Sequence, residues 1–312
     1  MGGAPPSWAH RLAWITAGAT LVLIVAGGLV TNTGAALAVP DWPTTFGHNM
    51  FLYPWSQMVG GVLYEHSHRL LGALVGLLTL GLAATLWFTE RRSWLRALGL
   101  GAVALVCAQG LLGGLRVLLL RETLAIVHGC VAQAFFAATV ALAVCTSSRW
   151  RAAPAPVAAG DARTVWRLSV AAGGALYLQI VLGALTTHAG WVGPHVAGAV
   201  VAGVATLAVA FHVLARHGAC PALAWPARAL GLLLAVQVAL GLGAYVARLT
   251  DLALPGGAPV GLALPVVHRA VASLLLGAAV ALTVESRRLY RAGVVDTRVG
   301  VGAGALSREV PA

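Results

Sequence analysis

Eight apolar runs of about twenty residues each constrain this chain more than any other feature. They cover roughly 12–31, 67–88, 96–117, 124–146, 165–187, 195–215, 227–248 and 266–285. A run of that length crosses a bilayer as a helix, because a helix satisfies every backbone group within itself. Charged residues make up 9% of the 312 positions, against about 25% in a soluble domain. The fold class expected is an all-α integral membrane protein with eight transmembrane helices. Most connections are short, which favours one helical assembly over separate soluble domains.

A net charge of +11 invites a nucleic-acid reading, but the arginines are placed against it. They cluster at Arg91, Arg92 and Arg96, at Arg149, Arg151, Arg163 and Arg167, at Arg216 and Arg228, and at Arg287, Arg288 and Arg291. These groups follow the second, fourth, sixth and eighth segments, so the positive-inside rule makes those loops cytoplasmic. A multi-pass protein of the cell (inner) membrane is expected, with both termini cytoplasmic and no nucleic-acid partner. Ala36-Leu37-Ala38 resembles a signal-peptide cleavage site, but the preceding apolar run is longer than a signal peptide uses. Cys145 and Cys220 lie near the cytoplasmic side, and Cys107 and Cys130 lie inside helices. No structural disulfide is expected, and no C-x-x-C pattern points to zinc or covalent heme.

The odd-numbered segments repeat a signature. Gln109 precedes Gly113, Gln179 precedes Gly183, and Gln237 precedes Gly241, each by four residues. The first segment keeps the glycine end, Ala26-Gly27-Gly28, with Ile24 at the glutamine position. Each glycine leads into an outward loop and then a helix that opens with a histidine. Two such hairpins make a four-helix half. Residues 12–146 and 165–290 are therefore read as two pseudo-symmetric four-helix bundles related by an axis along the membrane normal. Residues 147–164, rich in Pro, Ala and Arg, are the cytoplasmic linker. The glutamines read first as packing and inter-helix hydrogen-bonding residues.

His68, His128, His195 and His268 carry the chemistry. All lie in the first turns of helices running from outside to inside, where the helix dipole favours neutral imidazole. A single membrane histidine reads as a packing residue. Four at equivalent depth read as two axial pairs on heme iron. Arg69 and Arg269 each follow one of these histidines and are candidate partners for heme propionates, or interfacial arginines that snorkel. Arg116 and Arg248 are weaker candidates of the same kind. Gly72 and Gly198 share a helix face with His68 and His195 and suit a flat macrocycle, or helix packing. Glu65 precedes His68 by three residues, and neither His195 nor His268 has such an acid. It marks the first half as the chemical half. Two readings of Glu65 stay open: proton or charge handling beside a heme, or an acid at a helix N-terminus. His10, His48, His188, His212 and His217 read as solvated or interfacial, and residues 32–65 as an interfacial lid over the first-half site.

Val30-Thr31-Asn32-Thr33-Gly34, Pro40-Asp41-Trp42-Pro43, and Glu65 with His68-Arg69 resemble the heme A synthase family across the predicted eight-helix region. The resemblance implies oxidation of the C8 methyl group of heme O to a formyl group, giving heme A for terminal oxidases. It implies successive hydroxylations, through a hydroxymethyl stage to a hydrate that loses water. His195 and His268 would bind a resident heme b, with Arg69 and Arg269 as further cofactor-binding residues. His68 and His128 would flank the substrate heme, with Glu65 as the catalytic acid. Heme O synthase, cytochrome oxidase assembly factors and a second copy of the chain are the partners it suggests. Many bacterial members carry a cysteine pair in the first outward loop. No cysteine occurs here before Cys107, so redox roles for that pair do not apply. The alternatives are a di-heme electron carrier that reacts with quinol, and a non-catalytic heme-binding assembly or transport protein.

Overall fold

The computed structural model describes residues 7–152, 159–252 and 255–306. Helices α1 (Trp8–Asn32), α2 (Gly61–Thr89), α3 (Ser93–Leu119) and α4 (Glu122–Cys145) are followed by a single turn, α5 (Ser148–Arg151). Helices α6 (Ala159–Ala189), α7 (Val192–His217), α8 (Pro221–Leu249) and α9 (Gly257–Leu306) complete the chain. All but α5 are long and apolar enough to cross a membrane. The protein is an all-α, eight-span membrane protein. Residues 153–158 of the expected linker lie outside the described residues.

Each helix starts before its apolar segment, and all but α4 also run past its end, because flanking residues continue or cap the turn. Ser7 Oγ accepts the backbone N–H of His10 and starts α1. Pro221 opens α8, where its missing N–H costs nothing. Helix α2 begins at Gly61, so Glu65 and His68 both lie within it. Buried hydroxyls are satisfied inside their own helices: Thr16, Thr20, Thr79 and Thr206 each donate to the carbonyl four residues back at 2.7 Å.

In the first half, α1 packs on α2, α2 on α3, α3 on α4 and α4 back on α1. In the second half α6, α7, α8 and α9 close the same way. The halves meet where α4 and α1 touch α9 and where α4 touches α6. The expected duplication requires this shared neighbour order. It makes α2 and α4 diagonal in one ring, and α7 and α9 diagonal in the other.

The packed core lies toward one end of each ring. In the first half it includes Val75, Leu82, Leu86, Leu95, Phe135 and Leu142; in the second, Val209, Leu223, Leu230, Leu275 and Leu282. Past each histidine the first buried residue is Val75, Gln133, Ala202 or Val271. From each histidine to that residue the helix is no more than partly buried. Leu77, Phe88, Val200, Phe211 and Leu232 are exposed; these apolar side chains form the lipid-facing surface.

Candidate functional site

The helical ring brings His68 of α2 opposite His128 of α4, with ring centroids 6.4 Å apart and planes nearly perpendicular at 78°. His195 of α7 and His268 of α9 repeat this almost exactly in kind, at 6.4 Å and 77°. All four rings are half-buried. Metal–imidazole bonds of about 2.0 Å, plus roughly 1.1 Å from ring nitrogen to ring centre, put the ring centres of two coaxial ligands about 6.2 Å apart. Both pairs have the separation of two imidazoles sharing one metal ion. Among the described residues no cluster of three or more His, Cys, Asp or Glu could hold a metal ion. A pair of imidazoles suits a group that brings its own equatorial donors, as a porphyrin does.

The repeated glycines seat these rings. A Cβ on Gly27 would stand 3.1 Å from Cε1 of His68, and one on Gly113 3.3 Å from Cε1 of His128. On Gly183 the distance to His195 is 3.2 Å, and on Gly241 it is 3.0 Å to His268. The carbonyl of the residue four before each glycine, Leu23, Gln109, Gln179 or Gln237, faces the same ring. The repeat therefore runs one residue earlier in α1 than spacing suggested. Leu23, not Ile24, takes the glutamine position, and Gly28 packs instead on Val266 of α9.

The glutamines do form inter-helix hydrogen bonds, and these reach the histidines. Gln109 Nε2 donates to the His128 carbonyl at 3.1 Å, and Gln179 Nε2 to the His195 carbonyl at 2.8 Å. Gln179 Nε2 also lies 3.0 Å from His195 Nδ1, and Gln237 Nε2 lies 3.2 Å from His268 Nε2. Nδ1 of His68, His128 and His268 and Oε1 of Gln133, Gln179 and Gln237 are buried without hydrogen-bond partners. The Nδ1 atoms lie on the glycine side of each ring, toward the Leu23, Gln109 and Gln237 carbonyls, so the glutamine oxygens are the unpaired polar atoms left for a ligand. Gly72 has open space beside it, as a macrocycle would need, whereas Gly198 lies against Gln179 and Leu182 and serves packing.

Glu65 and Arg69 are joined to the outward loop. Glu65 Oε1 accepts from Arg69 Nη2 at 2.8 Å, and Oε2 from the Val39 N–H at 3.0 Å. Arg69 also donates to the carbonyls of Val39, Asp41 and Thr44 at 2.7–3.0 Å. Four of its five N–H donors are thus taken within the protein. Asp41 organises the loop: it accepts the N–H groups of Phe46 and Gly47 and the Thr44 hydroxyl. Burial pushes its carboxyl up, but the Gly47, Thr44 and Phe46 hydrogen bonds outweigh that and hold it below the usual value.

His66 is buried under the same loop, 3.0 Å from Thr45 Oγ1 and 5.2 Å from the Tyr53 ring. Trp42 lies flat on Gly114 of α3, where a Cβ would overlap its ring. Spacing alone did not reveal that contact, although the Gly113-Gly114 doublet was its one signal. Arg248 donates to Asn32 Oδ1 at 2.8 Å and ties α8 to α1. Arg116 lies within electrostatic reach of His68, His128 and His188, and Arg269 of His268 and His188. Among the described residues neither arginine has a carboxylate within 4.0 Å.

Residues 10–192 match the family model described as cytochrome oxidase assembly protein (COX15-CtaA). Two relatives are each named heme A synthase. That of Shouchella clausii is 36% identical over 107 residues, 33% of this chain and 34% of that protein. That of Alkalihalophilus pseudofirmus is 34% identical over 101 residues, 32% of this chain and 33% of that protein. The matches thus span about a third of the length of these relatives. The family match takes in Glu65, His68, Arg69 and His128 and ends just before His195, whose pairing with His268 stands on geometry. With more than half of its length under that family model, the chain belongs to the COX15-CtaA family of cytochrome oxidase assembly proteins.

Proposed function

We propose that the protein oxidises the C8 methyl group of heme O to a formyl group, giving heme A for terminal oxidases. The observation that carries this reading is the pair of matched histidine pairs, one in each half, in a chain of this family. His195 and His268 hold a resident heme b, and His68 and His128 flank the substrate heme. The 6.4 Å ring separations and the glycine seats fit such ligands. When bound, the resident heme supplies one-electron transfer.

Converting the methyl group to a formyl group replaces two hydrogens by one oxygen, a four-electron oxidation; counted with water as the oxygen source, four protons and four electrons leave, the electrons to an external oxidant. It proceeds by two hydroxylations and loss of water from the hydrate. Glu65 is the residue we assign to the protons, one turn of α2 from His68. Arg269 and Arg116 are the cations left for propionates, since Arg69 is committed to the loop. The outward side of the membrane carries both sites, and both termini are cytoplasmic.

The near identity of the two pairs would also suit a two-heme electron carrier. The Glu65–Arg69 loop favours the enzyme, since it covers only the first half. The link between α6 and α7 is two residues, Gly190 and Trp191. Coexpression with a heme O synthase, then chromatography of extracted hemes, tests the reaction. Heme A, with hydroxylated heme O as intermediate, is expected; heme B alone, with heme O unchanged, would favour the carrier.

A further inference from the structure

Arg69 and Arg269 are counterparts, each following a histidine in its own half, yet they are used differently. Arg269 has no carboxylate partner among the described residues. Arg69 gathers three carbonyls from one six-residue stretch of loop, Val39 to Thr44, and pairs with Glu65. Glu65 holds the same stretch from its other oxygen, through the Val39 N–H. The stretch is fastened a second time on the neighbouring helix α3, where Trp42 covers Gly114. Each fastening adjoins a histidine: Arg69 follows His68, and Gly114 follows Gly113, which seats His128.

We propose that Arg69 is a positioning residue. With Glu65 it latches residues 39–44 across the outward end of the first half, and Trp42 on Gly114 sets how closely that strap lies. The strap, not the helices, forms the outer wall of the space between His68 and His128. Its place as a wall for substrate rests on the function proposed above; its fastening does not. Val39 is fully buried and Ala35 nearly so, as a packed strap requires. A glycine at position 114 is needed because any side chain would occupy the place of the indole.

Hydrogen–deuterium exchange on the detergent-solubilised full chain tests the latch. Arg69→Gln removes three or four charge-assisted bonds, and Gly114→Ala displaces Trp42 without touching Arg69. Both variants should speed exchange of the Val39, Phe46 and Gly47 amides on the order of tenfold or more. Exchange in α6–α9 should stay unchanged, which shows that the fold is retained. Arg269→Gln should leave the 39–47 segment protected. Unchanged protection in Arg69→Gln, with lower heme content, would overturn the latch and return Arg69 to a propionate. Protection retained in Gly114→Ala would remove the Trp42 stop. Loss of protection in both variants, together with an unsubstituted chain that converts no heme O, would uphold the latch and remove the enzyme reading.

Discussion

Gly241 of α8 leaves no room for a side chain, since a Cβ there would stand 3.0 Å from Cε1 of His268 on α9. The same relation recurs at Gly27 and His68, Gly113 and His128, and Gly183 and His195. Glycine is needed at these sites for the close approach of an imidazole, not for its backbone freedom. Gly241→Ala should push the His268 ring by a few tenths of an ångström. Displaced outer-shell partners of metal ligands typically cost about 10–100-fold in affinity. Titration of the purified variant with heme should show that loss at one site, while the His68–His128 site binds as before. Unchanged affinity at both sites would mean that the ring is not fixed by its seat.

Glu65→Gln keeps the size of the side chain and removes its charge. Both carboxylate oxygens accept hydrogen bonds, from Arg69 and from the Val39 N–H. A glutamine offers one acceptor and turns a donor toward the other partner, so one bond is lost at about 1–3 kcal/mol. Heme content should remain and conversion should fall by at least about tenfold, with heme O or its hydroxylated form accumulating. Normal heme A yield would leave Glu65 only its part in holding the loop.

The sequence discloses the eight spans and the hairpin repeat, because both depend on local periodicity, whereas which histidines stand together is implied by the family resemblance. What it conceals depends on contacts between distant segments. Ile24 and Leu23 are equally apolar, so the register of the first repeat became visible only when Gly27, not Gly28, met His68. Arg69 and Arg269 share a sequence context, and only the fold of the first loop separates them. The inter-helix hydrogen bonds of the glutamines are expected, but not their histidine partners, which lie on the next helix 16 to 31 residues away. Tyr177 of α6 gave no signal either, yet its hydroxyl donates to the Cys130 carbonyl of α4 at 3.1 Å and joins the halves beside His128.

At the turn between α2 and α3, Arg92 pairs with Glu90 through Nε–Oε1 at 2.9 Å and Nη2–Oε2 at 2.6 Å. The Arg92 hydrogen bond holds the Glu90 carboxyl down to about 2. Because the folded value lies below the unfolded one, the pair's contribution is complete above the ordinary value of 4.5 and disappears as pH falls toward about 2. Glu90→Gln should lower stability at neutral pH by no more than about 1 kcal/mol. Thermal unfolding in detergent should show the gap to the unsubstituted protein closing between those two pH values. A gap that stays constant would remove the ion pair from the account.

Eight crossings put the start of α1 and the end of the last span on one side of the membrane. The positive-inside rule, applied to the arginine clusters, predicts that this side is the cytoplasm. A C-terminal fusion to a reporter active only in the cytoplasm should be active, and one active only outside should be silent. The opposite pattern would reverse the side on which the histidine pairs sit.

The central claim is that each histidine pair spans one heme. Replacing the four histidines by alanine one at a time, and recording low-temperature paramagnetic resonance and reduced optical spectra, addresses it directly. His195→Ala and His268→Ala should each abolish the same low-spin bis-imidazole signal and lower heme b content. His68→Ala and His128→Ala should leave that signal in place and change only what the first half binds. A full bis-imidazole signal in both His195→Ala and His268→Ala would contradict the account.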